Sequence, residues 1–453
     1  MYAGGLSEMR NYRIDMCNGP LFRSMAAFTV PLILTCILQL LFNAADTVVV
    51  GKFSGERALA AVGSTTSLVN LLLNLVIGLS MGAGVVVARN YGAGNKIATR
   101  SSIRTSIAVA LISGVVMLFA GIILSKPLLR IMGTPEDIIN LSALYMNIYF
   151  LGMPTILLYN FGSSILRAAG DTKRPLFILM GAGMVNIVLN LILVIVFHLG
   201  VAGVAIGTIV SETISAYFVM RILTKAEGVL HLDLKKIRIH RKCLKDIVRI
   251  GLPAGMQGVL FNISNVLIQS SVNSFGYMTI AGNTAAVTIE GFIYTSTNAL
   301  CQTSMNFTSQ NYGAKKYRRI DLILFYSLLS TVIIGAVLAV VVHFFGYEIL
   351  KICVSNEEAI SYGLIRLGIV GISYSLCGMM DISVASLRGL GFSLLPTVVC
   401  LLGACVFRIV WIFTVFKANH TLSVLYMSYP LSWTLSSAVL IMGYFVIRKR
   451  IFR

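Results

Sequence analysis

Residues 90–93 read NYGA, and residues 311–314 read NYGA again, 221 positions further on. Leu166–Gly170 and Leu387–Gly391 both read LRxxG at that same offset, as do Pro175 and Pro396, and Glu136 and Glu357. Pro31 and Pro253 match at an offset of 222. A register held over so much of the chain is that of an internal duplication. Both copies are strongly apolar, and duplicated apolar bundles are the usual architecture of secondary transporters.

Of the 453 residues, 57% are hydrophobic and 12% are charged, with a mean hydropathy of +0.86. A soluble domain carries roughly 25% charged residues, so a water-soluble protein is excluded. The net charge of +19 does not indicate a nucleic-acid partner, because the basic residues lie between apolar runs and not on one face or arm. Eight cysteines show no CxxC pair and mostly sit in apolar runs, and five histidines are scattered, so neither a disulfide framework nor a metal site is expected. The first 22 residues are polar and the first apolar run is long, so no cleavable signal peptide is expected.

A span needs about 20 mostly apolar residues. Candidates run near 24–50, 58–88, 102–125, 138–166, 175–198 and 201–223, then near 247–272, 279–309, 321–346, 358–387, 392–416 and 421–447. The chain therefore reads as an all-α integral membrane protein, twelve transmembrane helices in two parallel six-helix repeats. An N-terminal lobe covers 1–223, a basic linker 224–246 and a C-terminal lobe 247–453. The termini and alternate loops carry 28 Lys and Arg, from Arg10 to Arg453, against six in the opposite loops (Lys52, Arg57, Lys126, Arg130, Lys351, Lys417). That excess puts both termini and the linker in the cytoplasm of a cell-membrane protein.

Only Arg366 and Arg408 among the basic residues fall within spans, and four acids lie well inside: Asp46, Glu212, Glu290 and Asp381. An Asp at mid-bilayer costs roughly 2.5–3.5 kcal/mol on insertion scales, so each one needs a reason. Gln39, Asn43, Asp46 and Thr47 share one helix face, opposite Leu, Ile and Val. Asn186 and Asn190 are one turn apart, and Asn160 lies on a polar face of the fourth span. Carboxamides beside a carboxylate suit either a monovalent cation or a proton, so Asp46 heads a candidate ion site; a carboxylate that only pins helices together is the plainer alternative. In the second repeat, Asn262, Asn265 and Gln269 form a polar face, and Glu290 has Tyr294 one turn on. Asp381 is seven residues from Arg388, a spacing that allows an internal ion pair. Arg408 is expected to find an acidic partner across the bundle. Tyrosines and methionines near these faces suit loose binding of flat cations, or ordinary packing.

The segments DTVVVGKFSGERALAAVG (46–63), GAGVVVARNYGAGN (82–95), LRAAGDTKRP (166–175) and GVAGVAIGT (200–208), in this order, resemble the multidrug and toxic compound extrusion (MATE) family. The resemblance covers nearly the whole chain. It implies two lobes around a central cavity and export of varied small organic compounds, often cationic, by antiport with a proton or sodium ion and without a cofactor. A monomer in the lipid bilayer is expected, with no nucleic-acid partner and no enzymatic activity; no GxxxxGK[ST] phosphate loop is present. In one branch of the family an Asp on the first helix follows a helix-bending proline by fifteen residues, as Asp46 follows Pro31, which marks Pro31 as a hinge. That branch also has an Asn on the fourth helix, matched by Asn160, and an Asn-x3-Asp pair on the fifth, which here reads Asn186-x3-Asn190 without the second carboxylate. Ion coupling is thus expected at Asp46, Asn43, Asn160, Asn186 and Asn190. A substrate or second-lobe polar site is expected among Glu290, Asp381, Gln39, Asn262, Asn265 and Tyr294. The alternative is a lipid-linked saccharide flippase of a related fold, disfavoured by having only two arginines within the spans.

Overall fold

A computed structural model describes residues 12–451; Arg10 and Arg453, counted above for orientation, lie outside the described residues. Among the described residues there is no strand. The first repeat folds as α1 (Leu21–Ser54), α2 (Glu56–Gly92), α3 (Lys96–Ile131), α4 (Glu136–Leu151), α5 (Met153–Ala168), α6 (Lys173–Leu191) and α7 (Gly200–Lys225). The second folds as α8 (Arg241–Asn273), α9 (Tyr277–Gly313), α10 (Tyr317–Cys353), α11 (Glu357–Arg366), α12 (Tyr374–Gly389), α13 (Leu394–Cys400), α14 (Phe407–Trp411) and α15 (Leu422–Ile451). Wider π-helical turns extend α6 over Ile192–Val196 and α11 over Leu367–Gly371, and join α13, α14 and Phe416 into one segment.

Every predicted span is helical, but not every one is straight or wholly apolar. Eight helices are long and apolar enough to cross a bilayer unaided. The fourth and tenth spans are bent pairs, α4 with α5 by 50° and α11 with α12 by 42°. The first bend falls at Gly152 and the second at Ile372–Ser373, again 221 positions apart. Gly152 carries no side chain because a Cβ there would stand 2.7 Å from Ile209 Cγ1. The two remaining spans, α8 and α9, are diluted by Gln257, Asn262, Asn265 and Gln269, and by Asn283 and Glu290.

The two repeated motifs are helix terminators. In LRxxG, Asp171 N–H donates to Leu166 O and Gly170 N–H to Arg167 O; Phe392 N–H and Gly391 N–H repeat the pair on Leu387 O and Arg388 O. This is the Schellman arrangement, which needs a left-handed residue at its fifth position, and both glycines have φ +95°. NYGA does the same one residue later. Asn95 N–H donates to Asn90 O and Lys316 N–H to Asn311 O, with Gly94 (φ +66°) and Lys315 (φ +56°) in the left-handed position.

The described chain divides into two compact units, residues 12–19 with 26–255, and residues 20–25 with 256–451. The first packs Val87, Ile103, Ile107, Leu166, Val219 and Leu223 at its core. Within it α2 and the start of α8 cross on glycines alone: a Cβ on Gly251 would stand 2.6 Å from Leu79 Cα, and one on Gly255 would stand 2.6 Å from Leu75 O. Beyond that crossing, Arg89 and Asp246 are joined by a 2.9 Å ion pair. The second unit packs Ile268, Leu324, Leu387, Tyr426, Trp433 and Tyr444.

Lys315 holds the left-handed conformation with a Cβ, where its counterpart Gly94 has none. Lys315→Gly should therefore raise stability by about 1 kcal/mol, visible as a higher thermal unfolding midpoint. An unchanged or lower midpoint would show that the lysine side chain compensates for the strain.

Candidate functional site

In the first unit α1 presents Asp46 toward α6. Asn190 Nδ2 donates to Asp46 Oδ1 at 2.6 Å and lies 3.3 Å from Asn186 Oδ1. Both asparagines are buried and Asp46 is half-buried. Asn190 Oδ1 is buried without a partner. It can sit there because Gly207 of α7 has no side chain, and a Cβ would run into that oxygen. The result is a small group of oxygens, one carboxylate and two carboxamides, at the α1–α6 contact.

The other residues expected here are arranged differently. Asn160 donates its amide to Ile156 O on its own helix at 2.9 Å, so it is not hydrogen-bonded to Asp46. Asn43 is exposed and only its backbone carbonyl is engaged, by Thr47 Oγ1 at 2.9 Å. Gln39 is also exposed. Pro31 lies inside the unbroken α1, and its carbonyl accepts from Thr35 Oγ1 at 2.7 Å. Glu212, one of the four mid-span acids, lies on α7, the helix that also carries Gly207. Its Oε2 is buried without a partner, and Tyr149, stacked on Tyr145 at 6.1 Å, is close enough to feel both Glu212 and Asp46.

The second unit is organised around arginine. Arg366 grips Glu290 with two hydrogen bonds, Nε to Oε1 and Nη2 to Oε2, both 2.8 Å. Its Nη1 donates to Asn283 Oδ1 at 3.0 Å, which also accepts from Tyr426, while Asn283 Nδ2 donates to Gln269 Oε1 at 3.0 Å. Glu290 is thus neutralised by a planar, bidentate partner, the geometry in which a buried pair recovers its desolvation cost. The sequence offered only a weak signal for it, a mid-span Glu and a mid-span Arg 76 residues apart.

Two expected pairings are corrected. Arg388 does not pair with Asp381; its Nη2 donates to Gln257 Oε1 at 2.8 Å, and Asp381 makes no ion pair or hydrogen bond to the described residues. Seven residues is two helical turns, about 10.5 Å of rise, too far for these side chains while Gln257 is at hand. Arg408 has no acidic partner among the described residues. Its Nε donates to Ser432 Oγ at 3.0 Å and its guanidinium stacks on Tyr429 at 4.1 Å, so ring faces stand where a carboxylate was expected. Asn262 is half-buried and Asn265 exposed, and neither is hydrogen-bonded to the described chain. Tyr294 is 43% exposed and close enough to Asp381 to feel its charge. Among the described residues no group of three His, Cys, Asp or Glu is placed to hold a metal ion.

The MatE family model matches residues 31–192 and 253–414, one match to each repeat. This chain is a MatE family protein. The "Probable multidrug resistance protein YoeA" of Bacillus subtilis (strain 168) is 31% identical over 387 residues, 83% of each chain. The "Multidrug export protein MepA" of Staphylococcus aureus (strain MW2) is 22% identical over 394 residues, 87% of each chain. Crystal structures described as "MATE in the bent conformation" and "MATE in the straight conformation" share the fold, with TM-scores of 0.90 and 0.89. They are 21% and 20% identical and cover 96% of this chain, against 97% and 98% of their own. The sequence resemblance to this family, the all-helical membrane fold and the two repeats are thereby established.

Removing one member of a buried ion pair leaves an uncompensated charge. Arg366→Met in this MatE protein should lower stability by about 3–5 kcal/mol, and Arg366→Met with Glu290→Gln should recover most of it. Equal losses in both variants, by thermal unfolding in detergent, would deny the pair its structural role. Asn190→Ala and Gly207→Ala should each remove the contact with Asp46, at a cost of about 1.5–3 kcal/mol for a hydrogen bond to a charged group. A double variant no worse than either single one identifies them as one interaction; full additivity would separate them.

Proposed function

We propose that this MatE protein is a secondary active exporter of small organic compounds, often cationic, coupled to inward movement of a proton or sodium ion by alternating access. The single observation that supports it best is the hydrogen bond from Asn190 to Asp46, a carboxylate within the membrane joined to two carboxamides on a neighbouring helix. In this reading the Asp46 carboxylate alternates between loaded and unloaded. Loaded with a proton or Na⁺, it no longer demands the Asn190 amide, whose own oxygen then becomes available to the ion or its proton. The contact between α1 and α6 changes with it. Pro31, fifteen residues before Asp46, removes one hydrogen bond from α1 and is proposed as the point at which that helix flexes. The bent and straight conformations named for the related crystal structures agree with such a hinge.

For a neutral cargo the membrane potential suffices, whereas a monovalent cation exchanged for one proton moves no net charge and is driven by the pH gradient alone. One charge crossing about 150 mV yields roughly 3.5 kcal/mol, enough to concentrate a neutral solute a few hundredfold. The names of YoeA and MepA support drugs as cargo. Under the same proposal 1–223 and 247–453 act as lobes, residues 224–246 form their cytoplasmic linker, and both termini face the cytoplasm of the cell membrane. Asn43 and Asn160 then belong to the path to Asp46 and not to its hydrogen-bonded shell. The flippase alternative is weaker, because of the two mid-span arginines Arg366 is neutralised by Glu290 and only Arg408 lacks a carboxylate partner among the described residues.

Asp46→Asn resembles the protonated acid in shape and charge but cannot cycle. It should insert and fold, yet lose gradient-driven dye efflux in proteoliposomes by at least about tenfold, one decade being worth roughly 1.4 kcal/mol. Glu212→Gln should keep most of its activity. Near wild-type pumping by Asp46→Asn against a dye gradient would exclude Asp46 as the coupling group.

A further inference from the structure

Two guanidiniums flank one tyrosine in the second unit, and only one of them has a counter-charge. Arg366 lies 5.3 Å from the centroids of both Tyr426 and Tyr429, and all three of its nitrogens are hydrogen-bonded, two of them to Glu290. Arg408 lies over Tyr429 at 4.1 Å and over Trp433 at 5.6 Å. It is 94% buried (6% exposed) and only its Nε has a hydrogen-bond partner, Ser432 Oγ. Stacking uses the face of a guanidinium and leaves its edge, where Nη1 and Nη2 form a planar fork. The rings around it are also left with polar atoms. Tyr374 and Tyr429 both stand 5.5 Å from Trp433, and neither hydroxyl, nor the Trp433 N–H, is hydrogen-bonded to the described chain. Their neighbours are satisfied: Tyr426 donates to Asn283 and Trp411 to Val424 O.

Neither Nη1 nor Nη2 is among the buried atoms left without a partner, so the edge of this otherwise covered guanidinium is open, and a charge at that depth is costly unless something neutralises it. The nearby acids do not: Glu290 is held by Arg366, and Asp381 forms no ion pair. We propose that Arg408, with Tyr374, Tyr429 and Trp433, forms a receptor for the carboxylate of a planar organic anion or zwitterion. The fork matches a carboxylate with two parallel hydrogen bonds, and the indole and phenol rings supply a flat apolar wall beside it. A single free positive charge suits one carboxylate. A phospholipid headgroup is disfavoured because Arg408 lies mid-span, near the centre of Leu394–Phe416, and not at the membrane surface. The inference rests on the exporter reading only in treating the ligand as cargo.

Binding at equilibrium, with no gradient present, tests it apart from pumping. The full-length protein in phosphatidylcholine nanodiscs is titrated with 2-naphthoate and with its neutral isostere 2-naphthamide, reading quenching of the two tryptophans, both in this unit. Naphthoate should bind at least tenfold more tightly than naphthamide. Arg408→Gln should abolish that preference while leaving ethidium binding unchanged, and Arg408→Lys should retain part of it, since the charge stays and the fork is lost. Equal affinities for the two probes in the wild type would overturn the proposal whether or not the variants fold. So would an unchanged preference in a folded Arg408→Gln, or loss of naphthoate binding when phosphatidylglycerol replaces phosphatidylcholine.

Discussion

Hydrocarbon offers no hydrogen bonds, and a backbone group left unmatched there costs several kcal/mol. This fold is a response to that constraint. It explains the helical state of every span, and it also explains why the two repeated motifs sit where helices stop. LRxxG and NYGA turn the last carbonyls of α5, α12, α2 and α9 back onto the following amides, so the chain can reverse without stranding acceptors. What each copy shares is therefore the geometry of its ends, and the helix bodies between them have been free to differ. Where a span bends, the ladder is interrupted at the same register in both copies, Gly152 and Ser373.

Number, order and approximate limits of the helices were legible in the sequence because apolar length and turn residues are local properties. The Asp46–Asn190–Asn186 group was legible for a related reason: three polar residues, each mid-span, have few directions in which to point. What could not be read is which partner a side chain takes when several lie within reach. Asn160 turned back onto Ile156 O, a bond available in any helix, and Arg388 took Gln257 in preference to an aspartate two turns away. Arg408 drew the expectation of an acid because charge pairs with charge, yet Tyr429 and Trp433 are rings, and ring faces leave no mark in a charge pattern. Glu212 stood in the sequence only as one of four mid-span acids. Its proximity to Tyr149 depends on how α4 and α7 pack.

The two units thus treat buried charge in opposite ways. The first holds the Asp46 carboxylate with a carboxamide and leaves Glu212 Oε2 buried without a hydrogen-bond partner among the described residues. The second locks one carboxylate to a guanidinium and sets another guanidinium against aromatic faces. A duplicated scaffold has in this way acquired two chemically distinct interiors while its helix ends stayed alike.

The Glu290–Arg366 pair also constrains how the chain enters the membrane during synthesis. α9, which carries Glu290, and α8 before it are the two spans most diluted by polar side chains, Asn283 and Glu290 in the one and Gln257, Asn262, Asn265 and Gln269 in the other. The counter-charge of Glu290 is 76 residues further on, in α11. A Glu290 that is to enter lipid already neutralised holds the α8–α9 hairpin back until α10 and α11 have been translated. Only at that point can the carboxylate leave a wet environment already paired.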